Sequence, residues 1–336
     1  MAEQSVVSER PGNADGFPEV AEGYRRELMA HCYRMTGSVS DAEDLVQETY
    51  LRAWRAYDGF EGRSTVRTWL HRIATNVCLT ALEGKQRRPM PTGLGTSDAR
   101  PADDLLESHE VPWLEPVPDS AVEPGNVDPA TVVANRDTIR LAFVAALQHL
   151  PARQRAVLIL RDVLRWRASE VAEALGTTTV AVNSALQRAH ARLAEASPRE
   201  ATLTDDLTSD QRTLLDRYVS AFWEKDVTAL VGLLTCDAVW EMPPFTSWYV
   251  GAETIGELVA TQCPGGCHDM PMIETTANGQ PAFGLYMRTA DGHFEPWQLQ
   301  VLSLKDDRVD HVAAFFDTAL FAKFGLPAQL PASYSG

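Results

Sequence analysis

The chain has 336 residues, 45% of them hydrophobic and 23% charged, which is an ordinary globular balance and enough length for two or three domains. No run approaches the roughly 18 consecutive apolar residues that a membrane-spanning helix needs. The net charge of −16 argues against general nucleic-acid binding by the whole protein.

Residues 1–20 lack a basic start and an apolar core, so they read as a disordered leader rather than a signal peptide. Five scattered cysteines without a secretion signal point to reduced thiols and a cytoplasmic location. Two helices are expected over 22–57. Tyr24, Leu28, Cys32 (or His31) and Met35 share one face of the first. Ser40, with Glu43 three residues on, reads as a capping box for the second. In that helix Ala42, Leu45, Val46, Thr49, Tyr50, Ala53, Trp54 and Tyr57 follow helical spacing, predicting a buried face. Asp44, Gln47, Glu48, Leu51, Arg52 and Arg55 share the other face. Leu51 marks that face as a protein-contact surface, although a solvated face with one stray leucine fits the periodicity equally well.

Ser64 is expected to cap a third helix running to about Glu83, with Val66, Trp69, Leu70, Ile73, Ala74, Val77 and Ala81 inside and Arg63, Arg67, Arg72 and Asn76 on the other side. The basic cluster Lys85-Gln-Arg-Arg could complement the helix dipole or lie along phosphates. Residues 91–129 form an acidic, Pro-rich linker, partly ordered around Trp113 and Leu114. Pro129 is expected to open another helix, carrying Val132, Val133, Ile139, Leu141, Phe143, Val144, Leu147 and Leu150.

Residues 153–193 then read as a helix-turn-helix, locally basic inside an acidic chain. Val171, Ala172 and Leu175 give its first helix an apolar face. Gly176 supplies the left-handed turn, and Thr177 to Thr179 offer caps. Val182, Leu186, Ala189 and Leu193 face the core from the second helix. Thr179, Asn183, Ser184, Gln187 and Arg188 face outward, where such side chains can read base edges in the major groove.

After Thr204, two amphipathic helices, a strand near Ala238 to Met242, a helix from Gly251 to Gln262 and four strand-like runs with turns at 278–280, 291–292 and 305–307 predict an α+β domain with helices on one curved sheet. Such a cone encloses a pocket. Trp240, Met242, Phe245, Trp248, Tyr249, Tyr286 and Trp297 are its expected lining, with ordinary core packing the alternative for each. Asp237, Glu241, His293 and His311 are candidate acid–base groups, but no spacing singles them out. Cys263, Cys267 and His268 lack a fourth ligand. No catalytic residue, metal or cofactor is therefore expected.

The segments Asp41-Ala-Glu-Asp-Leu-Val-Gln-Glu-Thr, Ala53-Trp54 and Thr68-Trp-Leu-His-Arg-Ile-Ala-Thr-Asn resemble region two of extracytoplasmic-function (ECF) sigma factors. Leu150-Pro-Ala-Arg-Gln-Arg-Ala-Val-Leu, Glu170-Val-Ala-Glu-Ala-Leu-Gly, Val182-Asn-Ser and Gln187-Arg-Ala resemble region four. Residues 205–327 resemble the SnoaL-like domain. With Pro91-Thr-Gly-Leu-Gly, Trp240-Glu-Met-Pro-Pro and Phe321-Ala-Lys-Phe-Gly-Leu-Pro, the whole is similar to SigG-like sigma factors.

The resemblance implies a multidomain chain: two all-α sigma domains, 21–90 and 130–196, joined by the 91–129 linker, then the cone at 205–327 and a tail at 328–336. It implies promoter-specific transcription initiation without enzymatic activity. Core RNA polymerase would be the partner, its β′ clamp helices meeting Asp44, Gln47, Glu48, Leu51 and Arg55, with the β subunit also in contact. Promoter DNA would be read at the −10 element by Arg63, Arg67, Arg72 and Asn76. The −35 element would fall to Thr179, Asn183, Ser184, Gln187 and Arg188. The cone would regulate, with a small apolar ligand as a further partner; nothing names an anti-sigma protein. A ligand-sensing helix-turn-helix regulator that works without polymerase is the alternative.

Overall fold

The computed structural model describes residues 17–94, 100–123, 136–196 and 207–334. The expected opening of a helix at Pro129, with Val132 and Val133, lies outside the described residues, as does 1–16 of the expected leader. Phe17 corrects the leader's end. It opens α1 (Phe17–Glu22) and sits 5.0 Å from the Tyr57 ring, almost fully buried. A buried aromatic at that position anchors the chain where polarity alone predicted none.

The N-terminal bundle packs α2 (Arg25–Thr36), α3 (Val39–Ala56) and α4 (Val66–Ala81). Two expected caps move. Ser38, not Ser40, accepts the Asp41 N–H at 3.0 Å, because fully buried Val39 already belongs to the helix. Thr65, not Ser64, accepts the Thr68 N–H at 3.1 Å. Trp54 is also corrected: it is 54% exposed, beside Leu51 at 50%. The buried stripe is therefore narrower than the spacing implied. Gly37 ends α2 at φ 70°, and a Cβ there would meet the Gln148 side chain at 3.0 Å and Leu114 at 3.1 Å. A larger residue would be strained in backbone and crowded by its neighbours.

After α5 (Asp119–Val122), residues 136–139 are helical, Arg140 breaks the pattern, and α6 (Leu141–Gln148) follows. The helix-turn-helix module contains α7 (Ala152–Leu158), a wider turn Ile159–Val163, α8 (Ala168–Ala174) and α9 (Thr179–Ala196). Gly176 adopts φ 58° between α8 and α9, and the Thr178 hydroxyl accepts the Ala181 N–H at 3.2 Å.

The C-terminal unit has α10 (Ser209–Trp223), α11 (Val227–Leu233), β1 (Leu234–Glu241), β2 (Trp248–Val250), α12 (Ala252–Gln262), β3 (Met272–Ala277), β4 (Gln280–Arg288), β5 (Phe294–Lys305), β6 (Arg308–Phe315) and α13 (Leu320–Lys323). The sheet order is β2-β1-β6-β5-β4-β3, with only the β1–β6 pair parallel. Strand alternation divides its faces. Phe283, Leu285, Leu302, Val312, Ala314, Trp240 and Met242 join the three long helices in one core. Ala282, Tyr286, Leu299, Val301, Ala313 and Phe315 belong to a second core.

That second core is continuous through the N-terminal bundle, the linker (Leu114, Val117, Val122), α6 and α7, and the outer face of the sheet. The described part of the linker around these residues is thus a packed layer between domains. Arg155, one of the arginines that made the helix-turn-helix read as basic, belongs to this junction. It is 4% exposed and donates to the Met35 carbonyl of α2, to Gln148 Oε1 at 2.7 Å and to the Leu150 carbonyl at 3.1 Å. Burial lowers its pKa to about 10. Arg34 crosses the same boundary, with Nη2 2.7 Å from Thr138 Oγ1.

Arg155→Met keeps the apolar stem but leaves carbonyls unpaired, at roughly 1–3 kcal/mol for each buried acceptor stranded. Urea unfolding of the variant is expected to show a loss of that order, with an earlier midpoint. An unchanged midpoint would mean that Arg155 does not secure the junction.

Candidate nucleic-acid interface

The helix-turn-helix exposes the side chains expected to read DNA. Thr179, Asn183, Gln187 and Arg188 are exposed and Ser184 half-exposed, while fully buried Ala189 and nearly buried Val182 hold the opposite face. Val180 was missed by the sequence reading. It is 74% exposed at the start of α9, where an apolar side chain can meet a thymine methyl. Its signal was available as an apolar residue out of phase with the 182/186/189/193 stripe.

The four residues expected at the −10 element sit differently from one another. Arg63 is exposed and 2.8 Å from Glu61. Arg67 is held by Glu27 at 2.5 Å. Arg72 reaches Glu173 of α8 at 3.2 Å, so this arginine of the N-terminal bundle is paired with the helix-turn-helix itself. Asn76 donates to the Arg72 carbonyl on its own helix at 3.0 Å. Trp69 packs at 4.9 Å from Phe60 and 6.2 Å from Tyr57, in line with its structural assignment.

Asp44, Gln47, Leu51 and Arg55 form an exposed stripe on α3, and Glu48 is engaged by Arg52 at 2.6 Å. Outward-facing Trp54 joins Leu51 to make an apolar patch amid those charges. Glu43, expected in a capping box, instead pairs with Lys323 of α13 at 2.9 Å. The C-terminal unit therefore reaches the edge of this stripe.

The basic cluster after α4 lies along the linker rather than free for phosphates. Arg88 is 3.0 Å from Asp41 and 3.5 Å from Glu115 and donates to the Trp113 carbonyl at 3.0 Å. Arg87 donates to the Gly93 carbonyl at 3.1 Å. The linker acids pin the chain in turn. Glu115 faces the Ser40 N–H and hydroxyl, both at 3.3 Å, and Glu123 pairs with Arg136 at 2.9 Å.

One turn joins these parts. Asn278, between β3 and β4, is fully buried with φ 58°, a conformation Asn tolerates better than most residues. Its Oδ1 accepts the Val117 N–H at 3.0 Å. Its Nδ2 donates to Tyr33 Oη at 2.8 Å and to the Ile139 carbonyl at 2.7 Å. Its backbone N–H donates to the Val117 carbonyl at 3.0 Å. The Tyr33 hydroxyl donates in turn to the Glu115 carbonyl at 2.7 Å, and burial pushes its pKa upward. Next door, the Gly279 N–H meets Asp119 Oδ1 at 2.7 Å, and Gln280 Oε1 accepts the Leu141 N–H at 3.1 Å. Burial raises the Asp119 carboxyl to about 6. The sequence showed 278–280 only as a hairpin turn.

The expected pocket lining divides between the sheet faces. Trp240, Met242, Phe245 and Tyr249 are buried in the core beneath the helices, with Trp297 packed against them. Trp248 is corrected: it is half-buried and pairs across the sheet with Glu241, on the face turned away from that core, because alternation along β2 sends Tyr249 inward. Tyr286 is corrected: it lies on the other face, edge-on to Phe321 at 5.1 Å, and donates to the Pro327 carbonyl at 2.7 Å. The β4 alternation that sends Leu285 inward sends Tyr286 outward. Of the acid–base candidates, Glu241 and His311 do meet, at 2.7 Å. Glu241 also accepts the linker's Thr92 N–H at 2.8 Å. That pair sits against the linker, because Glu241 follows inward-facing Trp240. His293 faces Glu295 at 3.3 Å, and exposed Asp237 lies away from this pair. Among the described residues, no helix is long and apolar enough to cross a membrane.

Comparison with known proteins agrees with this layout. Residues 20–88 match the Sigma-70 region 2 family model and 140–193 match Sigma-70, region 4. The ECF RNA polymerase sigma factor SigG of Mycobacterium tuberculosis is 56% identical over 338 aligned positions, covering 98% of this chain and 90% of SigG. SigJ of the same organism is 30% identical over 217 positions, covering 64% of this chain and 61% of SigJ. The SigJ crystal structure covers 92% of this chain and 99% of its own at a TM-score of 0.58 and 23% identity, a likeness of fold. The chain belongs to the ECF RNA polymerase sigma factors.

Proposed function

We propose that this sigma factor is held closed by its C-terminal domain when free, and opens on core polymerase so that its two DNA-reading surfaces can separate. The observation that carries this reading is the 3.2 Å contact between Arg72 and Glu173. It places the expected −10 surface against the module expected to read −35. Elements named −10 and −35 are about 25 base pairs apart, which is roughly 85 Å of B-DNA at 3.4 Å per step. A conformation that pairs the two modules cannot span that distance. A surface ion pair contributes only about 0–1 kcal/mol, so Arg72 reports the closure and the Asn278 junction supplies its strength.

Within this scheme Thr179, Val180, Asn183, Ser184, Gln187 and Arg188 read the −35 element. Arg63, Arg67 and Arg72 act at −10 once their acidic partners are displaced, together with Asn76. Asp44, Gln47, Glu48, Leu51, Arg55 and Trp54 dock on the β′ clamp helices, with the β subunit also contacted. This activity takes place in the cytoplasm. The linker, released from Arg88 and Asn278, passes toward the polymerase interior.

The C-terminal domain is regulatory rather than catalytic. The Glu241–His311 pair is spent on the linker, and among the described candidates no acid–base pair faces the aromatic core. In that core the Trp240 indole N–H, Gln298 Oε1 and Gln300 Nε2 are buried without partners. They fit a small, largely apolar ligand with a polar edge, whose binding would bias closure.

Arg188→Ala and Asn183→Ala are each expected to reduce run-off transcription from promoters with an intact −35 element by about ten- to a hundredfold, the 1–3 kcal/mol of a lost base contact. Wild-type output would remove those residues from the reading surface. Leu51→Asp combined with Trp54→Asp is expected to abolish co-purification with core polymerase while the circular dichroism spectrum stays native. Retained co-purification would contradict the docking assignment.

Asn278→Ala is the direct test of closure. Its melting temperature should fall, and its apparent affinity for core polymerase should rise by about tenfold, because a larger fraction is already open. An affinity that falls, in a variant still folded, would make the junction a brace that polymerase binding needs.

A further inference from the structure

We infer that Glu224, Cys267 and His268 form a binding site for a zinc-type divalent transition-metal ion on the C-terminal domain. Their ligand atoms all lie within 4.8 Å of one another. Glu224 Oε2 is 3.5 Å from Cys267 Sγ and 3.1 Å from His268 Nε2. In a tetrahedral shell with Zn–S near 2.3 Å and Zn–N or Zn–O near 2.0 Å, neighbouring ligand atoms lie about 3.3–3.5 Å apart. Two of the three edges of the shell are therefore already close to bonding length. The Cys267–His268 edge lies within 4.8 Å, and both side chains are exposed.

The scaffold behind the ligands is fixed. Glu224 caps the C-terminus of α10. The His268 N–H donates to the Trp223 carbonyl at 2.7 Å, and the imidazole lies 4.9 Å from the Trp223 ring. His268 holds φ 64°, an uncommon conformation for a residue with a side chain. Its carbonyl accepts from Arg288 Nη2 at 2.8 Å, and the same arginine holds Asp269 at 2.9 Å. Asp269 Oδ2 in turn accepts the Gly266 N–H at 2.9 Å. A loop tied at this many points presents its side chains without a large ordering cost on binding.

Cys263, which the sequence grouped with Cys267 and His268, is not a ligand. Its thiol faces Met270 Sδ at 3.0 Å. Glu224 takes its place from 43 residues away in the chain, which is why no motif spacing showed the set. Thiolate, imidazole and carboxylate together suit Zn²⁺ and similar borderline ions and disfavour Mg²⁺ and Ca²⁺, which prefer oxygen. Three protein ligands leave a fourth position for water or an incoming group. The site would clamp the end of α10 to the 263–270 loop.

Titration of the tag-free, full-length protein with Co²⁺ tests this. One equivalent should produce a near-ultraviolet thiolate charge-transfer band with the visible bands of a tetrahedral ion, and Zn²⁺ should bleach both. Cys267→Ser should lose the charge-transfer band. Glu224→Gln and His268→Ala should bind Co²⁺ at least about tenfold more weakly. Cys236→Ser, a change to an exposed thiol elsewhere, should bind as wild type. All three ligand side chains are exposed, so the variants should melt with the wild type in chelator. X-ray absorption of the Zn²⁺-loaded wild type, which needs no variant, should show one sulfur among nitrogen and oxygen scatterers. Absence of a thiolate band, its survival in Cys267→Ser, its loss in Cys236→Ser, or a zinc shell without sulfur would each overturn the site.

Discussion

The burial of Asn278 is the constraint on which the arrangement of domains depends. A fully buried amide must find partners for both ends, because an unpaired buried polar group costs about 1–3 kcal/mol. Asn278 meets that requirement with groups from Tyr33 in the N-terminal bundle, Val117 in the linker and Ile139 at the entry to the helix-turn-helix module. Its partners therefore come from every other part of the protein. Its three side-chain bonds and one backbone bond contribute about 2–6 kcal/mol in all at 0.5–1.5 kcal/mol each. Driving a two-state equilibrium from 1:99 to 99:1 takes about 5.5 kcal/mol. In the proposed scheme a contribution of that size holds the free chain closed and yields to a large protein interface.

The same balance explains how an acidic protein can carry DNA-reading surfaces. Much of the basic character near those surfaces is consumed internally. Arg155 is buried under α2, Arg88 grips the linker and Arg72 meets Glu173. What remains exposed on α9 is mostly neutral and hydrogen-bonding, suited to base edges more than to phosphates. In the proposed scheme such a factor supplies sequence choice and draws its affinity from polymerase.

Local structure was largely legible from the residues. The helices of the N-terminal bundle, the left-handed turn at Gly176 and the meander of strands all followed from hydrophobic period and turn chemistry. Helix caps shifted by one or two residues, because neighbouring hydroxyls compete and burial of Val39 decided between them. Period shows which residues share a face, but not how far a covering element extends. Trp54 therefore sits outside a stripe that its spacing assigned to the core. Tyr286 failed for a related reason: strand alternation was readable, but which face enclosed the aromatic core was not.

What the chain order concealed was the joining of domains. Partial order around Trp113 and Leu114 was readable beside the prolines, but an acidic, proline-rich linker gave no sign that Val117 and Val122 would be core, because its apolar residues follow no helical or strand period. The −10 and −35 residues were placed by family likeness; the pairing of Arg67 with Glu27 and of Arg72 with Glu173 required the folded chain. In the proposed cycle the free protein is closed and polymerase opens it. Energy transfer between fluorophores placed at exposed Glu61 and Arg192, recorded with and without core polymerase, tests this most directly. The account predicts efficient transfer in the free chain and a large loss on binding. Equal transfer in the two states would contradict it.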